Sequence, residues 1–154
     1  MLTDKIKKIL KDKEFVYVAT ANLEGRPNAA PKFLVKIDNN YIYLLDYVIG
    51  KTWENLSVNP RVSISFKDNE NFNGYQVNGV VNFITSGKEF DSIVENMKEK
   101  QISLTAERVV KGVQRGRKHK NFQVDIPEKG VVIKIKVEEV VEIGATGALE
   151  REKF

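Results

Sequence analysis

The chain has 154 residues, of which 42% are hydrophobic and 30% charged, a composition typical of a single globular domain over residues 1–154. It contains no cysteine and one histidine. This excludes a disulfide framework, a cysteine-based zinc site, a thiol nucleophile and a histidine-rich metal site, so we expect no bound metal. What remains is a binding protein, or an enzyme whose reactive atoms belong to an organic cofactor.

The charge pattern is only mildly basic. There are 25 lysines and arginines against 21 aspartates and glutamates, which gives a formal net charge of +4. That is less than the basic stripe of a dedicated nucleic-acid-binding protein. No apolar run is long enough to span a membrane, and the N-terminal residues lack the apolar centre of a secretory signal. We therefore expect a cytoplasmic protein.

Hydrophobic spacing in the first third predicts one helix followed by an antiparallel meander. Apolar residues recur at helical spacing over residues 3–13. The period then changes to two over residues 15–22, which predicts a strand covered on both faces. Short polar turns separate it from further strands over residues 28–37 and 41–46.

The rest of the chain adds two helices and three strands. They are predicted over residues 51–58 (helix), 62–66 and 75–86 (strands), 88–100 (helix) and 131–137 (strand), with a bulge at Gly79 and a weaker helical continuation over 103–118. Six strands with peripheral helices predict a mainly β fold, a small Greek-key-like antiparallel barrel. Side chains fill a barrel of this size, so a ligand must lie on its outside or between subunits.

The segment from Gly50 to Leu56 carries the strongest chemical signal. A strand ends near Asp46, and a helix begins at Lys51 or Thr52. Free amide groups at a helix N-terminus bind anions, and Lys51 adds a positive charge that would otherwise oppose the helix dipole. Asn55 lies on the next turn of the same face. This pattern predicts a phosphate site; the alternative is a solvated lysine beside a threonine cap.

Three blocks of sequence resemble one known family. They are the strand-turn-strand of residues 15–31, the helix, Asn59-Pro60 breaker and strand of residues 50–66, and the strand and helix of residues 74–100. In this order they resemble the FMN-binding split β-barrels related to pyridoxamine 5′-phosphate oxidase, most closely the small FMN-binding proteins.

The resemblance implies a homodimer with FMN in the cleft between its subunits, acting as an oxidoreductase or an electron carrier. Lys51 and Thr52 would hold the phosphate, with Asn55 and Asp46 beside it. The second strand would follow the edge of the isoalloxazine ring through backbone groups, and Gln76 would reach the ring from the rim or the other subunit. The FMN-contacting positions so implied are Ala29, Ala30, Pro31, Lys32, Asp46, Lys51, Thr52, Asn55 and Gln76.

The resemblance is incomplete at the C-terminal end. Pyridoxamine 5′-phosphate oxidases carry a C-terminal substrate segment rich in Trp, Arg and His, whereas residues 131–154 contain only Arg151 of these types. We therefore do not expect oxidation of vitamin B6, and no catalytic residue is assigned. Residues 101–130 have no clear counterpart and are interpreted as an insertion, or as a peripheral helix and loop.

Two alternatives to FMN stay open. The same fold could hold haem or a deazaflavin, with His119 as a haem ligand or proton donor rather than a surface histidine. A protein of another class would be a cofactor-free barrel that binds nucleic acid through the basic residues 111–120. No aromatic residue interrupts that basic run, which argues against nucleic-acid binding. Trp53 is assigned to the core rather than to flavin stacking.

Overall fold

Antiparallel strands dominate the computed structural model, which describes residues 2–47, 49–116 and 130–154. The elements in chain order are α1 (Asp4–Lys11), β1 (Phe15–Ala21), β2 (Pro27–Asp38), β3 (Tyr41–Asp46), α2 (Lys51–Val58), β4 (Arg61–Lys67), β5 (Gly74–Ile84), α3 (Lys88–Gln114), β6 (Val131–Ile143) and β7 (Leu149–Lys153). The predicted elements are confirmed, with boundaries that differ by a few residues except in α3 and β6.

The strands form one sheet in the order β3-β2-β1-β4-β5-β6-β7, and β3 also pairs with β6. This second pairing closes six strands into a barrel, as predicted. The seventh strand was not predicted. Its residues are all exposed and show no apolar alternation, so the sequence gives no strand signal there. A turn over residues 144–147, with Gly147 at φ +86°, joins it to β6.

Gly79 is required where β5 bends. The pairing of β5 with β6 shifts register between Asn78 and Gly79, which confirms the predicted bulge. A Cβ at Gly79 would lie 2.2 Å from the backbone oxygen of Lys136. Any side chain at this position would therefore push two paired strands apart.

The barrel core is sealed at one end by α1. Leu2, Ile6 and Leu10 are almost fully buried among the inward-facing strand residues. Ile6 and Leu10 are four residues apart and lie on one helical face, and Leu2 packs beside them from just before the N-cap. Thr3 caps the helix by accepting a hydrogen bond from the Ile6 amide at 3.3 Å.

The prediction that β1 is covered on both faces is wrong within a single chain. Val16 and Val18 are fully buried in the barrel, but Phe15 and Tyr17 on the opposite face are 41% and 63% exposed. The strand alternates between the core and the outside of the barrel. No described element covers its outer face.

Helix α3 packs on the outside of the barrel and is longer than its strongly periodic part. Ile93 and Met97 are buried against Tyr43, Leu45 and Val132 of β3 and β6. The helix continues to Gln114, so most of the weaker helical prediction is confirmed. Residues 117–129, which include His119 and part of the basic run, lie outside the described residues.

Strand β2 changes neighbours halfway along its length. Residues 27–33 pair with β1, and residues 33–38 pair with β3, with Val35 as an extra residue between Leu34 and Lys36. Each half therefore has one side on which none of the described strands pairs. We call these sides the proline edge (residues 27–31, facing away from β1) and the bulge edge (residues 35–38, facing away from β3).

Candidate functional site

Helix α2 begins beside the proline edge without a capping side chain. Its N-cap is Gly50, and the Glu54 amide donates to the Gly50 carbonyl oxygen at 3.1 Å. The amides of residues 51–53 therefore lie outside the intrahelical hydrogen-bond ladder. Such a terminus has the geometry and dipole that bind an anion.

Lys51 stands at this terminus with a partner. Its Nζ atom lies 2.7 Å from Oε2 of Glu54, and both side chains are more than half exposed. Glu54 thus offsets part of the conflict between Lys51 and the helix dipole. An exposed pair of this kind is worth about 0–1 kcal/mol, so an incoming phosphate can displace Glu54 at little cost.

Two predicted residues anchor α2 to the barrel. Thr52 and Asn55 are 2% and 1% exposed. The Asn28 amide donates to the Thr52 hydroxyl at 3.2 Å, and the Asn55 amide donates to the Thr20 hydroxyl at 3.1 Å. Asn55 is thereby a positioning residue.

Sequence reasoning missed Asn28 and Thr20. They are direct partners across β1 and β2, on the face that points into the barrel. A polar residue at an inward position of an alternating strand was the available signal, because a buried polar group needs a partner.

Lys32 and Asp46 form a shielded ion pair next to α2. Their closest atoms are 2.6 Å apart, and the side chains are only 11% and 9% exposed. Asp46 also borders a small pocket that includes Trp53 and Phe83. The rings of those two residues are in contact at a tilt of 36°, with centroids 4.1 Å apart, in agreement with a packing role for Trp53.

The four predicted residues of β2 do not share a face. Ala30 and Lys32 oppose the buried Val18 and Val16 on the inner face. Ala29 and Pro31 lie on the outer face, because successive side chains of a strand point to opposite sides. These four residues therefore cannot line one surface with their side chains.

The backbone of the outer-facing residues points to the proline edge. The Leu34 amide donates to the Glu14 carbonyl oxygen at 2.9 Å. Hydrogen bonds to β1 come from alternate residues, so the backbone groups of Pro27, Ala29 and Pro31 point away from β1. Proline has no N–H, so within residues 27–31 this edge offers one backbone donor, from Ala29.

Gln76 lies on the outer face of the barrel, apart from α2. Its amide donates to the Ser63 hydroxyl at 3.0 Å and to the Asn78 side-chain oxygen at 3.2 Å. Three strand spacings, about 14 Å, separate it from β2. A single chain does not bring Gln76 to the proline edge.

A cleft of about 780 Å³ opens on the same outer face, beside Arg61, Ser63 and Asn78. None of the nine predicted residues lines it. In the described parts of the chain we find no group of three histidine, cysteine or acidic residues that could hold a metal. Across those same residues, no helix has the length and apolar character to cross a membrane.

Sequence comparison identifies relatives. The family model described as pyridoxamine 5′-phosphate oxidase matches residues 2–144. The uncharacterized protein MJ0282 of Methanocaldococcus jannaschii is 28% identical over 99 residues. That match spans 62% of this chain and 64% of the relative, which is less than two thirds of the relative's length.

Solved structures share the fold at low sequence identity. A Clostridium acetobutylicum protein related to general stress protein 26 superposes with a TM-score of 0.71 at 14% identity, over 97% of this chain and 92% of its own. HutZ, the haem storage protein of Vibrio cholerae, gives 0.63 at 18% identity, over 96% and 99%.

Structures named for other cofactors are also similar. An FMN-binding protein of Nostoc punctiforme gives a TM-score of 0.54 at 12% identity, over 92% of this chain and 87% of its own. An F420 reductase gives 0.57 at 14% identity, over 87% and 94%. These likenesses establish the barrel without selecting a cofactor. Since the family model covers nearly the whole chain, the protein belongs to the pyridoxamine 5′-phosphate oxidase family.

Proposed function

We propose that this chain binds FMN, with the phosphate at the N-terminus of α2 and the ring along the proline edge, in a cleft shared by two copies. The observation that carries the proposal is the uncapped start of α2 lying beside an unpaired strand edge. An anion site and a row of free backbone groups suit a ligand that has a phosphate at one end and a polar ring at the other.

The phosphate end is held by charge and amides. The phosphate accepts hydrogen bonds from the amides of residues 51–53 and forms an ion pair with Lys51. The Glu54 side chain then turns towards solvent. Asn28 donates to the Thr52 oxygen and fixes its position, which leaves the Thr52 O–H free to donate to the phosphate. Asn55 acts one step further away by holding α2 against β1.

The ring end is held by the backbone of β2. The Ala29 N–H donates to a ring acceptor, and the carbonyl oxygen of either Ala29 or Pro31 accepts from the ring N–H. Small side chains allow a flat ring to approach the strand closely. Lys32 lies on the inner side of β2, where it is paired with Asp46.

A second copy completes the cleft. The outer face carries the exposed aromatic residues Phe15 and Tyr17 and the polar Gln76, which is too far from the proline edge to act on the same chain's ligand. Covering this face with a partner's identical face buries the aromatic rings and brings the partner's Gln76 to the ring. A two-fold interface of this kind gives two equivalent sites.

FMN supplies hydride or electron transfer when it is bound. The described residues bind and orient the cofactor, and none of them is assigned a proton-transfer step. The proposal is therefore a flavin-dependent oxidoreductase or electron carrier whose substrate is undefined.

The visible absorption spectrum of the purified protein tests this proposal. We expect a yellow protein that releases FMN in a one-to-one ratio with the chain on denaturation, identified by chromatography against riboflavin, haem and deazaflavin standards. A haem spectrum or a released deazaflavin would assign the site to that cofactor instead. Colourless protein that takes up no added FMN and binds RNA with a steep salt dependence would contradict the proposal.

A further inference from the structure

A second groove lies at the bulge edge, on the opposite side of β2 from the proposed FMN site. It has a volume of about 420 Å³ between α1, β2 and α3. We call it the lysine groove; its defining residues are Lys7, Lys11, Leu34, Lys36, Ile37 and Lys100. Among the described residues that line it, none carries a carboxylate.

The α1 side of the lysine groove presents two lysines in a row. Lys7 and Lys11 are one helical turn apart and face the same way. Among the described residues neither has an acidic group within ion-pair distance, whereas the neighbouring Lys5 is paired with Glu142 at 2.7 Å. Two like charges at this spacing repel each other, and an anion between them would turn that repulsion into attraction.

The α3 side contributes the ammonium group of the half-buried Lys100. Nζ of Lys100 donates to the carbonyl oxygens of Leu34 at 2.6 Å and Lys13 at 3.1 Å. A lysine ammonium has three N–H groups, so one remains for a ligand. The nearby carboxylate of Glu14 is bonded to Arg108. Burial lowers the pKa of Lys100, and the charge of Glu14 only partly opposes this effect.

The floor of the groove is apolar. Leu34 and Ile37 supply aliphatic surface, and the extra residue Val35 bulges β2 between them. The aliphatic part of the Lys36 side chain adds to this apolar surface. Its ammonium group is 3.3 Å from Asp38 and lies over the Tyr43 ring. Lys7, Lys11 and Lys100 therefore line a groove with an apolar floor and form no ion pair with any described residue.

We propose that the lysine groove binds a small organic phosphate with an apolar body, of the aryl phosphate class. Phosphate carries close to two negative charges at neutral pH and accepts several hydrogen bonds, which suits a groove lined by Lys7, Lys11 and Lys100. The body of the ligand rests on Leu34 and Ile37. A groove of this volume lies within the range of small-molecule sites. This inference does not depend on FMN binding at α2.

Phenyl phosphate is the probe, added to the protein as purified and followed by calorimetry and by amide shifts in two-dimensional NMR. We expect saturable binding that weakens with salt, with shifts at residues 7–11 and 34–37 and at Lys100. Inorganic phosphate should bind more weakly, and phenol should not bind. Shifts confined to residues 50–53 would place the probe at the α2 terminus and overturn the inference.

Lys7→Ala/Lys11→Ala supplies the decisive variant, with Lys8→Ala/Lys98→Ala as its control. Both double variants remove two positive charges from exposed or half-buried sites on the outer helices, but only the first pair lines the groove. We expect the first variant to lose about tenfold or more in affinity for phenyl phosphate, and the control to lose less than about twofold. Equal losses in the two variants, or no loss in either, would overturn the inference; circular dichroism checks that both fold.

Discussion

The two open edges of β2 balance their positive charge in opposite ways. At the proline edge, Lys32 is shielded from water and neutralised by Asp46 at 2.6 Å. At the bulge edge, Lys100 is half-buried and donates to two neutral carbonyl oxygens. A phosphate is therefore attracted to the α2 terminus and Lys51 on one side of β2. On the other side it is attracted to lysines that form no ion pair with any described residue.

The edges also differ in how they avoid pairing with another strand. Pro27 and Pro31 remove two of the donors that a pairing strand would need along the proline edge. The bulge edge is interrupted by the extra residue Val35 and is flanked by α1. Both devices leave a few backbone groups exposed, which is how an unpaired edge becomes available to a small molecule.

Breaking the shielded ion pair at the proline edge should have the largest effect on stability. Asp46→Ala leaves the Lys32 ammonium buried without its anion, and we expect the free energy of unfolding to fall by about 3–5 kcal/mol. The matched change at the other edge is Asp38→Ala, which removes the exposed partner of Lys36 and should cost about 0–1 kcal/mol. Denaturant unfolding at one fixed protein concentration measures both.

The double variant Lys32→Met/Asp46→Leu removes both charges from the same place. Because no unpaired charge stays buried, its stability should lie much closer to that of the wild type than that of Asp46→Ala does. Equal destabilisation by Asp46→Ala and Asp38→Ala would show that shielding at the proline edge has no energetic consequence.

The effect of FMN on stability and assembly should distinguish the proline edge from the bulge edge. FMN that binds only the folded dimer should stabilise it by about 2.7 kcal/mol at a free concentration one hundred times Kd. It should also suppress any monomer seen on dilution, since each cofactor would touch both chains. Light scattering gives the mass, and absorbance gives the FMN content. A monomer that holds one FMN with unchanged affinity would contradict the shared site.

Removing the Lys51 charge should weaken FMN binding by about ten- to a hundredfold, corresponding to roughly 1.5–3 kcal/mol for a charged hydrogen bond. Riboflavin, which has no phosphate, should bind Lys51→Ala and wild-type protein almost equally. Lys11→Ala at the bulge edge is the control and should leave FMN affinity unchanged. Equal losses for FMN and riboflavin would show that Lys51 does not contact the phosphate.

The fold was predictable from the sequence where apolar periodicity is strong. β4 alternates cleanly between Val62, Ile64 and Phe66 and the residues between them, and α2 has a clear stop at Asn59-Pro60. β7 could not be found, because a strand that is exposed on both faces leaves no periodic pattern.

The candidate site was predictable only in outline. The start of α2 follows from a glycine, a lysine and a threonine in sequence, and the structure puts that helix end beside β2. The split of residues 29–32 between two faces of β2 was overlooked, although strand alternation implies it. The pairing of Lys32 with Asp46 depends on the meeting of β2 and β3, which no local pattern encodes.

The smallest expected effect concerns Lys100 and pH. Its pKa is lowered in the folded protein by burial, so the unfolded chain binds more protons between the folded and unfolded pKa values. The contribution of Lys100 to the free energy of unfolding should therefore rise as the pH increases through that window towards 10.5, the pKa of the unfolded lysine. The neutral amine keeps two N–H groups, enough for the carbonyl oxygens of Leu34 and Lys13.

Lys100→Met isolates this contribution, because every other titrating group is common to both proteins. We expect the difference in free energy of unfolding to move in favour of the wild type as pH rises from neutral towards that value. Phenyl phosphate should weaken the pH dependence of this difference near neutral pH, since a bound anion favours the charged amine. A pH-independent difference for Lys100→Met would mean that its burial carries no penalty, and the contrast between the two edges would then rest on their hydrogen bonds alone.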